Sequence, residues 1–246
     1  MGRAAALTGR DAERASTPEV DGAGSFLART GMATVRPRAR AGNKRDADRT
    51  RERILQAAIA AFAEHGYAGA RIDAICRRAR ANPRMLYAYF GDKQKLYVFV
   101  LEHVIGELRH EELKLEVDHV DPFEGLMQLF EFIDNHFATH PELMHLLSGE
   151  NLLRGRFLRG SSKAPLITSP LMPLIERLLR RGERQSLLRG GLDPLHLYVV
   201  MVALSYFHRS NAHTLSTIFQ TDLLAPAWLA QHKKTATDML AAYLRP

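Results

Sequence analysis

Cysteine is nearly absent from this chain of 246 residues, which contains only Cys76. A single thiol cannot form an internal disulfide and cannot supply a cysteine cluster for zinc, so both are excluded. Long apolar runs are also missing, and no 18-residue apolar segment suited to crossing a membrane occurs. The first residues lack the apolar stretch of a secretory signal. We therefore expect a cytoplasmic protein with no membrane partner.

Motifs that mark catalysis are lacking as well. The sequence has no glycine-rich phosphate loop, no G-x-S-x-G nucleophile motif and no HExxH zinc motif. We expect no enzymatic activity and no cofactor. Strand-like alternation of apolar and polar residues between turn signals is missing too, whereas apolar residues recur at helical spacing, so the periodicity predicts an all-α fold.

Positive charge is abundant, and it is concentrated in one region. Residues 36–95 contain 15 Lys and Arg against 6 Asp and Glu, whereas residues 96–246 contain 15 against 17. A local basic excess favours a polyanionic partner such as DNA. Residues 1–45 show no apolar period and are interpreted as a flexible basic arm, which either follows a DNA groove or is a solvated tail. Translation could start at Met1 or at Met32.

A helix-turn-helix pattern is predicted at residues 71–90. Its first helix, 71–79, ends in the turn 80–82, and the next helix begins at Pro83. Asn82 is a favourable N-cap, and proline suits the first helical position. The backbone N–H groups at this helix start are then available to a phosphate.

The helix that begins at Pro83 has two different faces. Leu86 and Phe90 lie four residues apart and are expected to face the core. Arg84, Tyr87 and Ala88 share another face, which combines a long hydrogen-bond donor, a hydroxyl that can reach a phosphate, and room for close approach. These properties are typical of a helix that reads a DNA groove.

Other segments have helical patterns of their own. The predicted helices are 47–65, 71–79, one from Pro83, 92–116, 121–139, one from Pro141, 171–190, 194–219 and one from Pro226. The first half of 194–219 is apolar nearly all round, so it needs cover on two sides. A second subunit is the expected cover on one of them.

Three segments together resemble the TetR family of bacterial transcriptional regulators: LYAYFGDKQKL at 86–96, RILQAA at 53–58 and FAEHGY at 62–67. The resemblance implies a helix-turn-helix DNA-binding domain of three helices at 48–108, with its recognition motif at 71–90. A helical domain at 109–246 would bind an effector and form a homodimer through about 194–219 and 226–244. The implied function is sequence-specific regulation at a palindromic operator, as a repressor released by a small molecule. The alternative is a non-specific architectural DNA-binding protein.

The chain departs from the family pattern at three positions. Ala70 stands where Thr or Ser usually precedes the second helix, so a helix cap is lost unless Asp73 compensates. Arg80 replaces the usual glycine of the turn and is expected at positive φ, at a cost on the order of 1 kcal/mol. Asn82 replaces the usual serine conservatively.

The expected DNA contacts come from the recognition motif and its basic neighbours. They are Arg49, Arg71, Arg80, Asn82, Pro83, Arg84, Met85, Tyr87, Ala88, Tyr89 and Lys93.

The effector and metal predictions concern the second domain. By family position, the candidate effector residues are His103, Phe130, Phe137, Met144 and Tyr206, with plain core packing as the alternative for each. His136 and His140 are spaced i, i+4, as metal ligands on a helix can be. Because no cysteine or carboxylate pattern lies nearby in sequence, we interpret them as a polar helix end and predict no metal.

Overall fold

The computed structural model describes residues 39–117, 119–161 and 170–246, with side chains from residue 45 onward. Over these residues the chain forms α-helices and no strand, so the all-α prediction is confirmed. The helices are α1 Ala39–Gly69, α2 Ile72–Ala79, α3 Pro83–Phe90, α4 Lys93–Glu112, α5 Pro122–Thr139, α6 Pro141–Leu152, α7 Arg156–Arg159, α8 Leu171–Arg184, α9 Pro194–Ser210, α10 Ala212–Phe219 and α11 Pro226–Leu244.

The N-terminal helices follow the sequence pattern, but the start of α1 and the end of α4 differ from the prediction. α1 begins at Ala39, so residues 39–45 of the predicted arm are helical, and the rest of the predicted arm lies outside the described residues. Gly66 interrupts α1 with φ 65° and ψ 179°, at the residue where the sequence predicts the stop. α4 ends at Glu112, four residues before the predicted end at 116.

Prolines mark the starts of α5, α6, α9 and α11, each at or beside the predicted position. Proline fits the first helical turn because its missing N–H would have no partner there. Asp121 and Asp193 cap α5 and α9 with side-chain hydrogen bonds to backbone N–H groups.

Two predicted helices are shorter than expected. The helix predicted at 171–190 ends at Arg184, because Ser186 lies at φ 56° and the N–H groups of Leu187 and Leu188 turn back to the Gly182 carbonyl. The helix predicted at 194–219 is two helices that break at Asn211. The Asn211 side chain donates to the Phe207 carbonyl over 3.0 Å. Short polar side chains that bond to the local backbone compete with helix continuation in this way.

An aromatic cluster connects the N-terminal helices to the rest of the fold. Phe62 of α1 lies 4.9 Å from Tyr97 of α4, and Phe157 of α7 lies 5.0 Å from Tyr97 and 4.4 Å from Tyr67, measured between ring centroids. Tyr97 is almost fully buried, and burial raises its pKa to about 12. The helix-turn-helix segment is therefore packed onto a continuous core that includes α7 and α4.

The C-terminal helices form layers around α5. α5 packs against α8, α9 and α11, and α9 also packs against α8 and α11. The core face of α5 consists of the predicted inward residues Leu126, Leu129, Phe130, Ile133 and Phe137, all of which are buried. Within the described ranges, no helix is long and apolar enough to cross a membrane.

His208 makes the stability of this layer depend on pH. It is buried in α9, with its ring centroid 4.0 Å from that of His232 and 5.7 Å from that of Trp228 on α11. Burial, then the charges of His232 and Arg209, lower the pKa of His208 to about 4 from an ordinary value of 6.5. The unfolded chain therefore takes up this proton first as the pH falls. The contribution of the neutral His208 to the free energy of unfolding is therefore complete above pH 6.5 and is lost as the pH falls toward 4.

Between pH 7 and pH 4.5 we expect the protonation of His208 to lower the free energy of unfolding by about 2 kcal/mol, since one pKa unit corresponds to about 1.4 kcal/mol. Urea unfolding of wild type and His208→Gln at both pH values measures it. The variant should lose less stability on acidification by about that amount, and the exposed control His213→Gln should behave as wild type. Equal losses in His208→Gln and wild type would contradict this assignment.

Candidate functional site

The turn between α2 and α3 has the backbone that the sequence predicts. Arg80 lies at φ 50° and ψ 46°, which is the left-handed region. The N–H of Arg80 donates to the Arg77 carbonyl over 3.2 Å, and the N–H of Ala81 donates to the Cys76 carbonyl over 3.0 Å. This pair of hydrogen bonds is the Schellman arrangement that usually has glycine at the left-handed position. The turn keeps that geometry with an arginine.

The helix starts on either side of the turn are capped differently. The side-chain oxygen of Asn82 accepts from the Met85 N–H over 2.9 Å, and Pro83 takes the first turn of α3, as predicted. At α2 the cap residue is Arg71, which makes no side-chain cap bond, while Ala70 is buried beneath it. The cap position is therefore Arg71 rather than Ala70, and the acidic Asp73 in the first turn favours this helix end through the helix dipole.

Replacing Arg80 tests the strain in this turn. Arg80→Gly and Arg80→Ala both remove the guanidinium group, but only glycine enters the left-handed region without steric cost. We expect the glycine variant to be more stable than the alanine variant by about 1 kcal/mol in chemical denaturation. The same pair at Arg77, inside α2, is the control, and there alanine should be the more stable by about 1 kcal/mol. If the glycine variant were the more stable one at both positions, or the alanine variant at both, the proposed backbone strain at Arg80 would be contradicted.

α3 separates its core face from its outer face as predicted. Leu86 and Phe90 are buried, whereas Arg84 and Ala88 are exposed and Tyr87 is 50% exposed. Met85 and Tyr89, which also belong to the predicted DNA contacts, are only half-buried and pack against the core. The outer face of α3 that can approach another molecule therefore centres on Arg84, Tyr87 and Ala88.

Exposed basic side chains are frequent in the helices and the turn that precede α3. Arg49, Arg71 and Arg80 are exposed, as are Arg77 and Arg78 on α2. Exposed guanidinium groups on α1, on α2 and in the turn before α3 fit a polyanion such as DNA.

Lys93, another predicted DNA contact, is engaged within the protein. Its ammonium donates to the Ala68 carbonyl over 3.3 Å and lies 4.9 Å from the centroid of the Tyr67 ring. Burial lowers the pKa of this ammonium below its ordinary value. In this structure Lys93 connects the start of α4 to the end of α1.

A cavity of about 700 Å³ lies between α1, with Arg78 of α2 beside it, and the helices α4, α5 and α6. α1 and α2 contribute Arg53, Gln56 and Arg78 to its lining, and α4, α5 and α6 contribute the opposite wall. A ligand in this cavity would touch both parts of the chain at once.

The five candidate effector residues do not form one site: Phe137 and Met144 both contact Tyr206, whereas His103 lies apart from them. His103 lines the cavity. Phe130, Phe137 and Met144 are buried in the core, and the Tyr206 hydroxyl bonds to the Met144 carbonyl over 3.3 Å and to Ser148 over 2.5 Å. These positions fit the packing alternative, with Tyr206 only half-buried, and an effector role for the four residues stays a prediction.

A carboxylate lies beside the histidine pair, although the sequence pattern indicated none. Glu111 of α4 lies with its Oε2 3.0 Å from His136 Nδ1, and the cavity is lined by Glu111, His136 and His140 together. Burial and then His140 lower the pKa of His136, and Glu111 acts in the opposite direction. The i, i+4 pair Glu107 and Glu111 on α4 was the available sequence signal, but only the fold shows that it faces α5.

Comparison with known families matches most of the described chain. A model described as "Bacterial regulatory proteins, tetR family" matches residues 54–98. Another, described as "Tetracyclin repressor-like, C-terminal domain", matches residues 122–240. The first match covers α2, the turn and α3, and the second begins with α5.

Similar proteins include two curated regulators. The HTH-type transcriptional repressor NicS of Pseudomonas putida is 37% identical over 177 residues, which are 72% of this chain and 84% of that protein. The HTH-type transcriptional repressor SCO4008 of Streptomyces coelicolor is 44% identical over 111 residues, which are 45% of this chain and 54% of that protein.

Among solved structures, the transcriptional regulator SCO4942 of Streptomyces coelicolor aligns over 80% of this chain and 99% of that chain. The TM-score is 0.59 and the sequence identity 24%. At this identity the match shows the fold alone.

Proposed function

Because this chain belongs to the TetR family of bacterial transcriptional regulators, we propose that it is a repressor that binds a palindromic operator as a homodimer and releases it when a small molecule binds. The observation that carries the proposal is the outer face of α3, where Arg84, Tyr87 and Ala88 lie exposed next to a turn that contains the exposed Arg80. In this proposal α3 enters the major groove, and the surrounding arginines hold the phosphates.

A homodimer is supported by the exposed apolar side chains of the last three helices. Leu195, Val199, Ala203 and Phe207 repeat every four residues along α9 and are all exposed. Exposed apolar residues continue with Ile218 and Phe219 on α10 and with Met239 and Tyr243 on α11. The buried side chains of α9 lie on its other face, so this stripe is left for a second subunit. It falls within the predicted interface segments 194–219 and 226–244.

Repression, rather than activation, is supported by the names of NicS and SCO4008, both of which are transcriptional repressors. A reporter gene downstream of the bound DNA tests this part. Expression should rise when the regulator is absent, whereas a fall would identify an activator.

The proposed switch acts through the cavity. Its walls include Arg53 and Gln56 on α1 and Arg78 on α2, on elements that carry α3. A ligand that fits the cavity better in one arrangement of these helices than in another shifts the population toward that arrangement. Release follows when the favoured arrangement moves the two copies of α3 out of register with the two half-sites.

Replacing Arg84 by alanine tests the base-reading role of α3. We expect operator binding to weaken by about 1–3 kcal/mol, roughly 5- to 150-fold, if the guanidinium bonds a base edge bidentately. An operator is first selected from random double-stranded DNA. Fluorescence anisotropy then measures the affinity for this operator and for a duplex of random sequence. The exposed Arg159 on α7 gives the matched control Arg159→Ala, which should bind as wild type. If Arg84→Ala weakened binding to the operator and to random DNA equally, Arg84 would contact a phosphate rather than a base.

A further inference from the structure

Three side chains from two helices place potential metal ligands together. Glu111 lies in the last turn of α4, His136 lies in the last turn of α5, and His140 follows α5 directly. One ligand atom from each residue lies within 4.8 Å of the others. Glu111 and His140 are half-buried, His136 is buried, and all three line the cavity.

We propose that Glu111, His136 and His140 bind a divalent transition-metal ion of the Zn²⁺ type. Two imidazoles and one carboxylate form a ligand set that suits Zn²⁺, Ni²⁺ and Co²⁺ better than Mg²⁺ or Ca²⁺, which prefer oxygen ligands alone. Three protein ligands leave at least one coordination position free for water or for another molecule.

The separations are close to those of a bound site. Zn–N and Zn–O bonds of about 2.1 Å in tetrahedral geometry place ligand atoms about 3.4 Å apart. The distance from Glu111 Oε2 to His136 Nδ1 is 3.0 Å, slightly inside that value. A ligand atom of His140 lies within 4.8 Å of those of Glu111 and His136, and its ring stacks on that of His136 with the centroids 4.2 Å apart.

The ring of His140 is already oriented by its neighbours. Its Nδ1 lies 3.2 Å from the His136 carbonyl oxygen and 2.9 Å from Thr139 Oγ1. When Nδ1–H donates to that carbonyl, Nε2 keeps its lone pair for a metal. Metal-binding histidines usually donate their other ring N–H to a carbonyl or carboxylate in this way.

The surroundings favour a cation at this position and an anion opposite it. The carboxylates of Glu107 and Glu142 also line the cavity near the three ligands. Arg53 and Arg78 line it from α1 and α2. An ion at Glu111, His136 and His140 would connect α4 to α5 and present its free coordination position to the cavity. The inference does not depend on DNA binding.

Cobalt binding to the full chain without a histidine tag tests the proposal. The protein is treated with a chelator and titrated with Co²⁺, whose visible absorption reports coordination by nitrogen and oxygen ligands, and Zn²⁺ is then added as competitor. We expect one Co²⁺ per chain, displaced by Zn²⁺. His140→Ala and Glu111→Gln should each weaken binding by at least about tenfold, since even changes in groups around a metal ligand cost 10- to 100-fold.

The exposed His145 on α6 provides the matched control. His145→Ala should bind Co²⁺ as wild type does, and circular dichroism of each variant checks that the helices are intact. The proposal is overturned if wild type binds no Co²⁺, or if His140→Ala and His145→Ala bind it equally. Because no DNA is present in the titration, this outcome is independent of operator binding.

Discussion

Phe207→Glu is expected to convert the proposed homodimer into monomers and to raise its dissociation constant by about 1000-fold. Phe207 is 59% exposed at the end of the apolar stripe on α9. Burying a phenylalanine contributes about 1.5–3 kcal/mol, and a buried unpaired carboxylate adds a further cost. An isologous interface contains each substitution twice, so the free energy of association falls by a total of about 4 kcal/mol or more. Each 1.4 kcal/mol, roughly, corresponds to a tenfold change in the dissociation constant.

Operator binding should fall with the dimer, because a monomer holds one half-site and loses the second contact. Sedimentation at several protein concentrations gives the assembly state, and anisotropy gives the operator affinity. Leu152→Glu is the matched control, since Leu152 is 86% exposed on α6, outside the stripe. If Leu152→Glu dissociates the protein and Phe207→Glu does not, the interface lies elsewhere on the surface.

Leu86→Ala is expected to destabilise the protein by about 2–5 kcal/mol. Leu86 has no exposed surface and packs α3 onto the core beneath the recognition motif. Truncation removes apolar contacts and leaves a cavity in a closely packed region. An eight-residue helix is not stable alone, so α3 should lose its order before the C-terminal helices do.

Urea unfolding measures the stability change, and hydrogen exchange of the α3 amides measures the local effect. Leu113→Ala is the control because Leu113, just after α4, is 70% exposed, and its loss should change stability by less than about 0.5 kcal/mol. A Leu86→Ala protein as stable as Leu113→Ala would show that α3 does not depend on this contact.

The recognition motif could be predicted in detail because its determinants are local. Asn82 and Pro83 fix the start of α3 through the backbone of the next three residues. The positive φ of Arg80 follows from the left-handed residue that a helix end of this type requires. The exposure of Arg84 and Tyr87 follows from their spacing relative to Leu86 and Phe90.

Helix ends and side-chain clusters were harder to predict because they depend on tertiary contacts. The ends at Arg184 and Ser210 arise where local polar bonds compete with a helical pattern that continues in sequence. Glu111 is 25 residues from His136, and only the packing of α4 against its neighbours brings the two together. For Phe130 and Met144 the sequence favoured core packing over an effector-lining role, and both residues are buried in the fold.

Selection of bound sequences from random double-stranded DNA is the most direct test of the central claim that two copies of α3 read a symmetric operator. The full chain is used without added effector. We expect a palindromic consensus with half-sites about one helical turn or a multiple apart, and loss of that consensus for Arg84→Ala. Uniform recovery of all sequences would contradict it and identify a non-specific DNA-binding protein.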